Sequence, residues 1–136
     1  MSELQSSPTG SVAAAISNAA VRLLHEYTGR GPTKAKTIIG RDVVVIVLAD
    51  TMTKAEHTLA AKGQSDFVLD MRHRFQLAMR EDLVAAVEMN MERTVVAFMS
   101  DNHIEPDMAA EVFVLEPRPD ADLDGAAMQA ESTPDS

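Results

Sequence analysis

The chain has 136 residues, 46% of them apolar, and a formal net charge of −9, which is the length of one domain with enough apolar content to close a core. It has no cysteine, no tryptophan and a single tyrosine, which excludes a disulfide framework, a thiolate metal site and a platform of rings for stacking bases. Its longest strongly apolar run, Val43 to Ala49, is far short of the roughly 20 residues a bilayer-spanning helix needs, so no membrane insertion is expected.

Residues 1–10, MSELQSSPTG, read as a flexible N-terminus. Glu3 stands where a signal peptide carries cations and no apolar segment follows, so a cytoplasmic location is expected. A single α+β domain is expected over 11–117. Its first element is SVAAAISNAAVRLLHEYTG, where Val12, Ile16, Ala19, Ala20, Leu23 and Tyr27 recur at helical spacing. Ser11 is placed to cap this helix and Gly29 to end it in the left-handed conformation that terminates many helices.

The stretch YTGRGPTKAK follows. Arg30, Lys34, Lys36 and Arg41 are four of the chain's twelve Lys and Arg residues, and no acid lies between Gly29 and Arg41. Glycines let backbone amides approach an anion and arginine grips one bidentately. Gly29, Arg30, Gly31, Pro32, Lys34, Lys36 and Arg41 are therefore the candidate site for a small anion, a nucleotide or an acidic partner. The sequence GRGPTKAK lacks the closing Gly-Lys-Ser/Thr of a nucleoside-triphosphate loop, and Lys34 stands where the dinucleotide fingerprint needs glycine. A helix stop followed by a strand edge defended by lysines explains the same residues, and both readings stand at this point.

KAKTIIGRDVVVIVLAD changes to β-branched residues. A hairpin turning through Gly40-Arg41, with glycine first in a type II′ turn, is preferred to one long strand bulged at Gly40. Its second strand is apolar on both faces, which places it inside a sheet or at an interface between subunits. TMTKAEHTLAAKG opens a short helix with the capping box Thr53 and Glu56, closed by Lys62 and Gly63. Ser65 or Asp66 is expected to cap the next helix, with Val68, Met71, Phe75, Met79, Leu83, Ala86 and Met89 on its buried face. Phe67, Leu77, Val84, Val87 and Met91 widen that face, so covering on two sides is expected. RTVVAFMSDN and AAEVFVLEP read as two strands joined by a loop holding Pro106 and acids.

The order is α-β-β-α-α-β-β: a four-stranded antiparallel sheet made of two hairpins, with helices packed on one face. The apolar second strand then leaves the other face uncovered, and a homodimer is expected. Residues 118–136 read as a disordered acidic tail, since six acids and one arginine occur from Glu116 onward. With the cations so few and the domain itself near balance, no nucleic-acid partner is expected.

Asp101, His103, Glu105 and Asp107 alternate like a calcium loop, but Pro106 stands where that loop needs glycine and Val112 where it needs an acid. His25, His57, His73 and His103 fall on separate elements, and His73 between Arg72 and Arg74 reads as a polar face. No metal and no cofactor is expected. No nucleophile elbow is present and Glu81-Asp82 point to different sides of a helix, so no catalytic residues are assigned.

Three segments, GRGPTKAKT, VVVIVLADTMTKAEHTLA and TVVAFMSDNHIEPDMAAEVFVLEP, resemble the MpsC-like family, over roughly Ser11 to Pro117. One departure is the turn before the third strand, where NMER, Asn90 to Arg93, keeps the arginine of a Gly-Arg pair but not the glycine. The resemblance implies a soluble, non-enzymatic accessory or regulatory protein beside a sodium- or bicarbonate-linked membrane transport protein, and it carries over no catalytic residue.

Overall fold

The structure, a computed structural model, describes residues 8–30 and 33–118. The expectations for the first seven residues, for Gly31 and Pro32, and for the tail from 119 fall outside it. Helix α1 spans Pro8–Thr28. It starts three residues ahead of the expected Ser11 cap, because proline is a favoured first helical residue with no N–H to leave unpaired. It stops as expected: Gly29 adopts φ 74 and its N–H donates to the His25 carbonyl at 2.8 Å. Thr28 Oγ1 then accepts from the Arg30 N–H at 3.1 Å, which turns the chain off the helix axis.

Strands β1 (Lys34–Ile39) and β2 (Val43–Ala49) form the hairpin. Its turn differs from the expected one. Gly40 stands just after the last register pair, Ile39 with Val44, its N–H closes the turn by donating to the Val43 carbonyl at 2.7 Å, and its φ is not positive. Glycine is favoured there by proximity instead, since a Cβ would lie 2.9 Å from Val43 Cγ1 and that methyl would have to move.

Helix α2 (Lys54–Ala61) carries the expected capping box. The Glu56 N–H donates to Thr53 Oγ1 and the Thr53 N–H donates back to the Glu56 carboxylate. Gln64, not Ser65 or Asp66, precedes helix α3 (Ser65–Met91), and it makes no side-chain cap. The helix ends on Glu92 at φ 56, ψ 42. That left-handed position favours glycine, which explains why a glycine would suit this turn and why NMER is strained without one. Glu92→Gly is therefore expected to raise stability by about 0.5–1 kcal/mol, read as a higher midpoint in urea at unchanged slope.

Strands β3 (Val95–His103) and β4 (Met108–Leu115) complete the fold. The sheet order is β1-β2-β4-β3 and every pair is antiparallel, so β2 and β4 form the centre. All three helices lie on one face, as expected. α1 packs on β1 and α3, α3 packs on β3, and α2 packs on α3. The core joins Ile16, Ala20 and Leu24 of α1 to Val44, Ile46 and Leu48 of β2, Met79, Leu83 and Val87 of α3, and Phe113 and Leu115 of β4. The Phe113 ring meets Phe98 tilted, with centroids 5.2 Å apart.

The buried row of α3 follows the apolar stripe read from the sequence only in part: Val68, Met79 and Leu83 belong to both, Met71, Phe75 and Ala86 are half-buried, and Arg72 and Gln76 enter unexpectedly. The row is Val68, Arg72, Gln76, Met79, Leu83 and Val87, at three- and four-residue steps that take in two polar side chains. Met89 is 78% exposed, and Phe67 and Leu77 also face solvent, so no described element of the chain itself supplies the second cover. Arg72 belongs to the interior while His73 and Arg74 are exposed. Hydropathy does not place Arg72 and Gln76 inside because their polar partners, Thr51, Glu56, Asn102 and Glu111, come from the β2–α2 connection, α2, β3 and β4.

Candidate functional site

The basic stretch is spread along β1 rather than gathered. Arg30 Nε donates to the Met52 carbonyl at 2.9 Å. Lys34 and Lys36 stand on one face of β1, and Lys34 Nζ lies 3.7 Å from the Asp50 carboxylate with both groups open to solvent. Arg41 sits in the hairpin turn at the far end of β1, about 20 Å from Lys34 at 3.3 Å per strand residue. There the Arg41 carbonyl accepts from Arg93 Nη1 at 2.7 Å. A depression of about 620 Å³ between α1 and β1 is lined by Ser17, Arg22, His25 and Thr33, with none of the four cations among its walls.

Arg93, the arginine that NMER retains, is a fastener. Its Nη2 donates to Asp42 Oδ1 at 2.6 Å and to the Glu116 carbonyl at 2.8 Å. It ties the β1–β2 turn to the end of β4.

A second arrangement, not assembled by sequence reading, is a chain of buried polar groups between the helix layer and one end of the sheet. The Asp107 carboxylate turns inward and accepts the Thr51 N–H at 3.2 Å, the Thr51 hydroxyl at 2.9 Å and the Met52 N–H at 2.9 Å. His57 Nε2 lies 3.4 Å from the same carboxylate at the surface. Thr51 passes the chain to Arg72, whose guanidinium also meets Glu56 at 3.3 Å and Asn102 at 3.1 Å. Asn102 donates to Gln76 at 2.7 Å, and Gln76 donates to Glu111 Oε2 at 3.0 Å. Asp107 between β3 and β4 thus holds the connection that leads into α2, Asn102 of β3 and Glu111 of β4 hold α3, and Arg72 ties α3 to α2, all through hydrogen bonds where an apolar core would only press the layers together.

Glu111 ends the chain, 1% exposed, with Oε1 left without a partner. Burial raises its pKa from 4.5 to about 7, against the lowering effects of the Gln76 hydrogen bond and of Arg72. Two signals in the sequence pointed this way. Glu111 is in phase with Ala109, Phe113 and Leu115 along β4, and the capping box already fixed Glu56. The acid loop serves this latch: among the described residues no group of three or more His, Asp or Glu is placed to hold a metal ion.

The third feature is the sheet face away from the helices. Register puts Val43, Val45, Val47 and Ala49 of β2 beside Val114, Val112, Ala110 and Met108 of β4. Ile38 of β1 and Met99 of β3 flank them, 50% and 53% exposed. No described element covers these residues, and the central valines are half-buried only by one another.

Helices layered on one side of an antiparallel sheet, an internal polar latch and a bare apolar sheet face define a small α+β protein built around an uncovered surface. Residues 8–117 match the family described as the Na+-translocating membrane potential-generating system (MpsC), and the chain belongs to that family. No curated protein matches the chain. No solved structure matches it either. No helix among the described residues is long and apolar enough to cross a membrane.

Proposed function

We propose that this chain is a non-catalytic accessory protein of the Na+-translocating system that its family is described by, and that it acts as a homodimer from the aqueous side. The uncovered apolar sheet face carries this reading. Soluble monomers seldom leave so contiguous an apolar surface open, and patches of a few hundred Å² mark interaction sites. Family membership supplies the process. The polar groups in the interior support a structural role, since each of those between Asp107 and Gln76 is occupied by another protein group. The protein's contribution to ion movement is then regulatory or scaffolding, exerted on a membrane transport protein.

Deleting the gene in its host is expected to lower the Na+-dependent membrane potential, measured with a potential-sensitive dye. Re-expression of the chain restores it, and a folded Val45→Lys, Val112→Lys variant does not. An unchanged potential after deletion, or full rescue by the double variant, contradicts the reading.

A further inference from the structure

The open sheet face is complementary to itself, and its charges select one way of pairing. Register across the order β1-β2-β4-β3 lays out rows that run from one edge to the other. One row is Ile38, Val45, Val112, Met99. The next is Lys36, Val47, Ala110, Asp101, and the one after it is Lys34, Ala49, Met108, His103. The centre is thus apolar, the β1 edge carries lysines and the β3 edge carries Asp101. A shallow depression of about 230 Å³, lined by Val47, Asp101, Met108 and Ala110 among others, lies toward the β3 side.

Two sheets packed face to face keep their strands nearly aligned, and a closed pair of identical chains is related by a two-fold axis. That axis must lie in the plane between the sheets, so it runs either along the strands or across them. Across the strands, β1 faces the partner's β1. The lysine edges then converge, and so do the two Asp101 edges. Along the strands, between β2 and β4, each row meets itself end for end. Lys36 then lies opposite the partner's Asp101, Ile38 opposite the partner's Met99 and Val45 opposite the partner's Val112.

The rotation of about 30° between aligned sheets moves an edge about 7 Å from the axis by about 4 Å. A lysine side chain spans that. Four strands at about 4.8 Å and some seven residues at about 3.3 Å give a flat footprint of roughly 440 Å² per copy. Two copies, with side-chain relief added, approach the roughly 1,200 Å² at which stable interfaces begin.

From this complementarity we infer that the occupant of the open face is a second copy of this chain, related by a two-fold axis parallel to the strands, with Lys36 paired to the partner's Asp101. The inference rests on the homodimer reading and specifies its geometry. Because the chain has no cysteine, single thiols report the arrangement without background. Full-length Lys36→Cys and Asp101→Cys chains, co-expressed under different tags, are treated with a short bis-maleimide, which suits sheets about 10 Å apart. Light scattering on the untreated sample gives the mass.

A cross-linked pair carrying both tags, absent when either variant is treated alone, is the expected result. A link within the Lys36→Cys chains alone places the lysine edges together and overturns the geometry. A dimeric mass with no link in the mixture also overturns it, while leaving the homodimer reading in place. A monomeric mass removes both. As an independent check, Lys36→Asp is expected to weaken the dimer roughly tenfold, and adding Asp101→Lys in the same chain to recover most of that loss. No recovery contradicts the pairing.

Discussion

Replacing Arg72 by leucine is expected to destabilise the protein by about 3–5 kcal/mol, because it removes one partner of a buried charge pair and strands the other. Glu56 is 3% exposed and Arg72 6%, so water does not reach the abandoned carboxylate. Thr51 and Asn102 lose their donor at the same time. For a domain of this size the change corresponds to a fall of roughly 15 °C in melting temperature. Arg72→Lys keeps the charge but loses the planar fork that serves several acceptors together, and should fall between wild type and leucine. Arg74→Ala is the control. Its pair with Asp70 is exposed on the helix surface, and its loss should change stability by no more than about 0.5 kcal/mol. Thermal and urea unfolding of the three variants tests this. A loss below about 1 kcal/mol for Arg72→Leu contradicts the view that the polar chain fastens α2 and α3 to the sheet.

Glu111 should make stability fall as pH rises. Its pKa is about 7 in the folded chain against 4.5 unfolded. Below pH 4.5 the carboxyl is protonated in both states and contributes no pH dependence. Between 4.5 and about 7 only the unfolded chain releases the proton, so stability declines through that window. Above about 7 both states are ionised and the decline stops. The full difference corresponds to about 3 kcal/mol. Glu111→Gln still accepts from Gln76 and never ionises. The stability gap between variant and wild type should therefore widen by about that amount from pH 4.5 to pH 8 in the variant's favour. Chemical unfolding at several pH values measures it directly. A gap that stays constant across the range contradicts the buried, protonated carboxyl.

The alternating and helical periods made the element order, both hairpins and the capping box of Thr53 and Glu56 legible in the sequence, because each depends on residues near one another in the chain. The two-sided apolar character of Val43–Ala49 signalled a central strand, and β2 is one. Element ends were less legible. Ser11 lost to Pro8, and Gln64 replaced Ser65, since cap preferences of about 1 kcal/mol are easily outweighed by packing. The buried row of α3 was legible at Val68, Met79, Leu83 and Val87 and not at Arg72 and Gln76. Arg72 and Gln76 are interior only because Glu56, Asn102 and Glu111 reach them from up to 35 residues away, and hydropathy along one helix contains no trace of those partners. The basic stretch illustrates the converse. Neighbours in sequence, Lys34 and Arg41 are held at opposite ends of an extended strand, while Lys36 and Asp101 occupy opposite edges of one row.

What covers the valine face decides how the protein works. Size-exclusion chromatography with light scattering on the full chain at micromolar concentration, run beside Val45→Lys, Val112→Lys, measures it most directly. Twice the 14.7 kDa chain mass is expected for the wild type, and a single-chain mass for a variant that keeps its helical and strand signal in circular dichroism. A wild-type chain that elutes as a monomer, or a variant that stays dimeric, would contradict a dimer closed over that face.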